Sequence, residues 1–169
     1  MVESLRSRHK QQVVGVISDT HGLLRPEVLR VFKGADLILH AGDIGSSEVL
    51  EELRTIAPVI AVRGNNDRDE WAKRIPDFEV VRVGSVSIYM LHDLKEMKLS
   101  PPGVNVDVVV SGHSHRPSIE RRERILFLNP GSAGPRRFKL PIGIARLTLQ
   151  GLVVNAELIE LSTTFLPKR

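Results

Sequence analysis

A chain of 169 residues, 41% hydrophobic and 26% charged, has the composition of one globular domain that buries about two-thirds of its unfolded surface. No apolar run approaches the roughly 18 residues of a membrane span. The absence of cysteine excludes a disulfide frame, a thiolate metal site and a cysteine nucleophile.

Residues 1–11 read as a short basic tail without the apolar centre of a signal peptide, so the expected compartment is the cytoplasm. Residues 12–162 read as a single domain, and 163–169 as a C-terminal tail. The first strand is predicted over Gln11 to Ile17, ending at Ser18-Asp19-Thr20-His21-Gly22. A helix follows over Pro26 to Phe32, with proline in its first turn and Gly34 just past its end. Asp36 to His40 is the second strand, broken by Ala41-Gly42-Asp43-Ile44-Gly45. Ser46 or Ser47 is placed to cap a helix over Glu48 to Ile56. Val59 to Val62 is the third strand, followed by Arg63-Gly64-Asn65-Asn66-Asp67. Strand, loop and helix in alternation imply a parallel sheet with polar loops at its carboxyl end.

The rhythm then changes. Glu79 to Val83 and Val86 to Leu91 flank Gly84-Ser85, a two-residue hairpin signal, and the second strand ends in His92-Asp93. Asp67 and Asp69 are placed to cap a short helix running to Arg74, and another helix is expected over Leu94 to Leu99, before Pro101-Pro102. Val106 to Ser111 reads as a buried central strand that stops at Gly112 and delivers His113 and His115. In extended chain these imidazoles share one side, about 7 Å apart. The remainder is mostly strand: Ile125 to Leu128, then Ile142 to Leu149 turning at Gln150-Gly151 into Leu152 to Leu161. The expected fold class is α/β, two stacked mixed β-sheets flanked by helices.

Polar residues close five of these strands: Asp19 and His21, Asp43, Asn65, His92, and His113 with His115. Two carboxylates, one amide and four imidazoles suit Mn²⁺, Fe, Zn²⁺, Ni²⁺ or Co²⁺ better than an all-oxygen cage for Mg²⁺ or Ca²⁺. Seven donors exceed the needs of one ion but fit two if a carboxylate bridges. Two ions about 3.5–4 Å apart can hold a hydroxide and clamp both oxygens of an in-line phosphoryl displacement. His40 reads either as a packed strand-end histidine or as a support for the ligand residues, and Trp71 as a core anchor. Asn129-Pro130-Gly131-Ser132 reads either as a tight turn or as a substrate contact.

The net charge of +4 is uneven: Arg116, Arg121, Arg122, Arg124, Arg136, Arg137 and Lys139 face only Glu120 and Glu123 over one stretch. This is either a solvated hairpin or a positive rim that draws in phosphate-bearing ligands.

In order, Asp19-x-His21, Gly42-Asp43, Gly64-Asn65-Asn66-Asp67, His92 and Gly112-His113-Ser114-His115 resemble the calcineurin-like metallophosphoesterase superfamily. The short length and Asn129-Pro130-Gly131-Ser132 are similar to its small YfcE-type phosphodiesterase branch. The resemblance spans about Val13 to Leu161 and implies an αββα sandwich with two divalent ions, manganese foremost. Asp19, His21, Asp43 and His115 would hold one; Asp43 as bridge, Asn65, His92 and His113 would hold the other. The implied activity is a phosphodiesterase working by in-line attack of a metal-bridging hydroxide, on a substrate that includes nucleotides or nucleic acid among its candidates. Asn66 stands where many members carry a histidine near the leaving group, and Ser46 where they carry the acid that orients it. Asn66 is thus the candidate catalytic and substrate-binding residue, with Arg136 a further substrate contact. Asp93 follows His92 where glycine is frequent, and begins the next turn or supports the site. Rival readings are a non-catalytic scaffold on the same fold, like the superfamily's retromer subunit, and a nuclease acting on nucleic-acid ends. Homo-oligomerisation is left open.

Overall fold

The computed structural model describes residues 10–98 and 105–162. The expected tails fall largely outside these residues, as do His9, Leu99 and Pro101-Pro102. Strand β1 (Gln12–Ile17) lies at the centre of the first sheet. It pairs in parallel with β2 (Leu37–His40), which pairs in parallel with β3 (Val59–Ala61). The register Ile17 to His40 to Ala61 brings three strand ends level, so the loops that follow emerge side by side.

Two helices cover the outer face of this sheet. Helix α1 (Pro26–Val31) has proline in its first turn and buries Val28. Helix α2 (Ser47–Arg54) buries Val49, Leu50 and Leu53, one apolar stripe at helical spacing, with Glu48 in its first turn and Arg54 in its last. Ser46 is the residue before α2, but its side chain makes no capping bond.

The second sheet begins with a hairpin of β4 (Phe78–Val83) and β5 (Val86–Leu91) around Gly84-Ser85. Strand β6 (Val108–Val110) adds in parallel to β5, and β8 (Ile125–Asn129) in parallel to β6. At the edge, β7 (Ser118–Arg122) pairs antiparallel with β8. The chain then returns to the first sheet as β9 (Gly143–Gln150), antiparallel to β1, and β10 (Val153–Glu160) beyond it. The strand orders are β10-β9-β1-β2-β3 and β4-β5-β6-β8-β7. Two five-stranded mixed sheets are therefore stacked, the expected fold class, and the parallel strands β1, β2 and β3 that the alternation implies form one half of the first sheet.

The main core lies between them: Val14, Val16 and Leu147 from one sheet meet Ile88, Val108 and Leu128 from the other. A second cluster joins α1 and α2 to the first sheet through Val28, Phe32, Ile38 and Leu53, with Trp71 half-buried against it. The outer face of the second sheet is covered more thinly, by Leu94 and Met97 against Tyr89 and Val109. The helix expected over Leu94 to Leu99 is a single 3₁₀ turn, Leu94–Glu96.

Candidate metal centre

The seven residues singled out in the sequence come from both sheets. Asp19 and His21 follow β1, Asp43 follows β2 and Asn65 follows β3; His92 follows β5, and His113 and His115 follow β6. Asp19, Asp43, His92 and His115 are buried, His21 half-buried, and Asn65 and His113 exposed. Asp19 Oδ1 lies 3.3 Å from His115 Nε2 and 3.9 Å from both His21 Nε2 and His92 Nε2. Asp43 Oδ2 lies 3.3 Å from His92 Nε2 and 3.8 Å from His21 Nε2. Two donor clusters result, Asp19 with His21 and His115, and Asp19 with Asp43 and His92. Asn65 and His113 sit beside the second: His113 Nδ1 is 3.1 Å from Asn65 Oδ1 and 3.3 Å from His92 Nε2.

The backbone is bent to achieve this. Asp19, His21, Asp43, His113 and His115 all have φ between 47° and 68°, a region costing a non-glycine residue about 1 kcal/mol or more. Clustering of such strain in five ligand-type residues marks a built site. Two glycines let the loops close. A side chain on Gly64 would overlap the backbone and carboxylate of Asp43, and one on Gly112 would overlap Ser18 and Asp19.

Buried side chains fix the loops. Asp67 accepts hydrogen bonds from the backbone N–H of Ile44 (3.1 Å), Gly45 (3.0 Å) and Gly64 (2.9 Å), tying the Asp43 loop to the Asn65 loop. The expectation that Asp67 caps the helix before Arg74 is thereby corrected, and Asp69, which does precede that 3₁₀ helix (Glu70–Arg74), makes no capping bond. His40 is fully buried. Its Nδ1 accepts from Gly42 N–H, so its Nε2–H donates to Thr20 Oγ1 at 2.9 Å, and Thr20 in turn donates to the Ile44 carbonyl at 2.8 Å. This packed histidine thus joins the Asp19 and Asp43 loops. Asn129 is likewise buried: it donates to the Gly112 carbonyl and Ser114 Oγ and accepts from Gly131 N–H, shaping the turn that carries His113 and His115.

Asn66 holds Asp43 directly. Its backbone N–H donates to Oδ1 and its side-chain Nδ2–H to Oδ2, each at 2.9 Å. Asp93 begins the next turn, and its other oxygen lies near His113. Oδ1 accepts from Lys95 N–H to begin the 3₁₀ turn, and Oδ2 stands 3.6 Å from His113 Nε2.

Burial pushes the Asp43 carboxyl up, but hydrogen bonds from His92 and Asn66 outweigh it and hold the group well below the usual carboxylate range. Asp19 is likewise lowered on balance: burial opposes, while His115, His92 and Ser18 favour the anion. Burial lowers His21 on balance against the charges of Asp43 and Asp19; His92 is raised, because the two carboxylates overcome its burial. His92 Nδ1–H donates to the Ala41 carbonyl at 2.7 Å, which turns Nε2 toward the carboxylates. Asp19 Oδ1 and His21 Nε2 are buried without a hydrogen-bond partner among the described residues. Orphaned acceptors facing each other across 3.9 Å fit a cation between them.

The basic stretch falls on two segments. Its first half lies on the β7–β8 hairpin, where Arg122 pairs with Glu120 at 3.0 Å and covers the Phe127 ring at 4.7 Å. Its second half, Arg136 to Lys139, is an exposed loop close enough to His21 for the Arg137 charge to lower that imidazole further. A cavity of about 520 Å³ is lined by Asn65, Arg68, His92, Asp93 and His113.

Comparison with known proteins gives the family and the fold. Residues 13–151 match the calcineurin-like phosphoesterase superfamily domain. A probable metallophosphoesterase of Methanothermobacter thermautotrophicus is 38% identical over 159 residues, 88% of this chain and 92% of its own. A phosphodiesterase of Methanocaldococcus jannaschii is 28% identical over 137 residues, 70% of this chain and 82% of its own. Among solved structures, the Escherichia coli phosphoesterase YfcE superposes with a TM-score of 0.65 at 28% identity, covering 80% of this chain and 88% of that one. Vacuolar protein sorting 29 of Cryptosporidium parvum superposes with a TM-score of 0.71 at 22% identity, covering 90% and 99%, a likeness of fold alone. The chain belongs to the calcineurin-like phosphoesterase superfamily.

Proposed function

We propose that the protein is a phosphodiesterase dependent on two divalent transition-metal ions, manganese foremost, held by Asp19, His21, Asp43, Asn65, His92, His113 and His115. The observation that carries this reading is the buried, unpartnered Asp19 Oδ1, with three imidazole nitrogens within 3.9 Å of it. So dense a set of ligand-type nitrogens around one buried, unpartnered carboxylate oxygen is what a bound cation would satisfy. Ions bound there supply Lewis acidity and an activated water for in-line displacement at phosphorus. The chain's own part is orientation. The Ala41 carbonyl aims His92, Asn66 holds both oxygens of Asp43, and Asp67 and His40 keep the three loops of the first sheet in register. The relatives named as phosphoesterases or phosphodiesterases support hydrolysis as the outcome.

Hydrolysis of an aryl phosphodiester should stop on chelation, and Mn²⁺, Ni²⁺ or Co²⁺ should restore it better than Ca²⁺. Full activity in metal-stripped protein would sink the metal-dependent reading. A protein that binds the metals tightly yet hydrolyses no ester would favour the scaffold instead.

A further inference from the structure

The loop between Gly134 and Leu140 has a conformation that packing does not explain. Phe138 is 91% exposed, in a chain with five phenylalanines, one tyrosine and one tryptophan. Among the described residues, the other strongly exposed phenylalanine, Phe78, at least packs against Tyr89 at 5.9 Å. Phe138 also has φ 53°, at the second position of a turn closed by Leu140 N–H donating to the Arg137 carbonyl. Glycine or asparagine normally takes such a position, and a bulky aromatic there is strained. Strain without packing in return points to a role outside folding.

The loop's base is bolted to the metal centre. Ser132 Oγ–H and Gly134 N–H both donate to the Asp19 carbonyl, at 3.0 and 3.2 Å, and Arg25 donates to the carbonyls of Ala133 and Gly134. From Gly134, four residues of chain reach at most about 14 Å, so Phe138 stays within one nucleotide's neighbourhood of Asp19. Arg136, Arg137 and Lys139 flank it, all exposed. No acidic residue lies between Glu123 and Glu157. An aromatic face among cations, next to a centre that cleaves phosphodiesters, is the combination that binds a base and its backbone together.

We propose that Phe138 is a stacking platform for the nucleobase of a nucleotidyl phosphodiester, with Arg136, Arg137 and Lys139 drawing in its phosphates. This names a substrate class for the centre and rests on the phosphodiesterase reading above. The base lies on the His21 side, and the other ester group extends toward the cavity lined by Arg68 and Asp93.

The test compares two esters with one leaving group, thymidine 5′-(4-nitrophenyl phosphate) and methyl 4-nitrophenyl phosphate, on manganese-loaded protein. Wild type should show the lower KM for the nucleoside ester. Phe138→Ala should raise the KM ratio of nucleoside to methyl ester by about fivefold or more, and Phe138→Tyr should restore it. An unchanged ratio in Phe138→Ala, or no preference in wild type, overturns the proposal. Should neither ester be hydrolysed, the phosphodiesterase reading fails and calorimetric binding of thymidine 5′-monophosphate decides the stacking question. Weaker binding by Phe138→Ala supports it, and equal binding overturns it. A short single-stranded oligodeoxynucleotide, run beside the mononucleotide ester, separates the sources: a lower KM for the oligomer assigns a polymer, and a lower KM for the ester a free nucleotide. As Phe138 makes no core contact, thermal melting of the variants should match wild type.

Discussion

Asp43 and Asp19 each face histidines of both donor clusters, and they differ in what holds them. Asp43 is gripped at both oxygens by Asn66, whereas Asp19 keeps Oδ1 unpartnered. If Asp43 bridges, Asp43→Asn should release both metal equivalents, while Asp19→Asn should retain one. An amide keeps the shape and removes the charge, so the comparison reads ligation and not packing. Metal analysis after gel filtration checks it, and the reverse stoichiometry would move the bridge to Asp19. The proposed place of Asn66 near the leaving group carries a further prediction. An amide cannot protonate a departing oxygen, and Ser46 supplies no acid to orient one. General acids contribute about 10²–10⁴-fold, mostly for basic leaving groups. Aryl diesters should therefore turn over well and simple alkyl diesters poorly, and Asn66→His with Ser46→Asp should raise alkyl turnover selectively. A leaving-group series measures this, and equal turnover of both classes by wild type defeats the account.

At the scale of elements, the loops depend on ties that differ in how far the sequence displays them. Strand ends were legible because β-branched runs stop abruptly at polar residues, and the ligand-type residues stand at those stops. Asp67 was not, because Asp67 and Asp69 before Trp71 look like helix caps, and only the folded chain brings Ile44 and Gly45 to Asp67. Strand β7 was hidden for another reason. All five of its residues are exposed, so it has no buried alternation to read. The placement of β6 between β5 and β8 follows from pairing across the sheet, which no local pattern records. His40 gives this scale its prediction. Burial lowers its pKa from 6.5 to about 4, against the opposing charges of Asp67, Asp19 and Asp43 and with the help of His92. Above pH 6.5 the stability of the neutral, bonded ring is fully present. Between pH 6.5 and 4 the unfolded chain takes up a proton that the native state refuses, so stability falls by roughly 3 kcal/mol across that window. His92, raised, works in the opposite sense: its contribution is present below 6.5 and lost as pH rises through its folded value. His40→Gln keeps an N–H for Thr20 and removes one titration. Urea unfolding of metal-free protein at pH 7.5 and 4.5 should therefore show a smaller loss on acidification in the variant. An equal loss in both would assign the acid sensitivity elsewhere.

At the scale of the molecule, the centre lies where the two sheets meet at their ends. Asp19, His21, Asp43 and Asn65 belong to the first sheet, and His92, His113 and His115 to the second. Joining these groups, the inter-sheet core supplies apolar contact, and a backbone bond from His113 N–H to Asp19 Oδ2 crosses the gap at 3.1 Å. Cations bound by all seven residues would staple one sheet to the other, and they would bind the folded chain while the unfolded one lacks the site. Such a ligand at a hundred times its dissociation constant stabilises by about 2.7 kcal/mol per site. For a chain of this size that is a rise in melting temperature of roughly 5–10 °C. Scanning calorimetry with manganese and with chelator should show it, reduced in Asp43→Asn. The location of the effect is the sharper test. Hydrogen exchange should slow on metal addition in the turns after β1 and β2 and equally in those after β5 and β6, because pulling the sheets apart now breaks ligation. Protection confined to the first sheet's loops would mean that His92, His113 and His115 do not hold the ions, and the seven-residue assignment would fall with them.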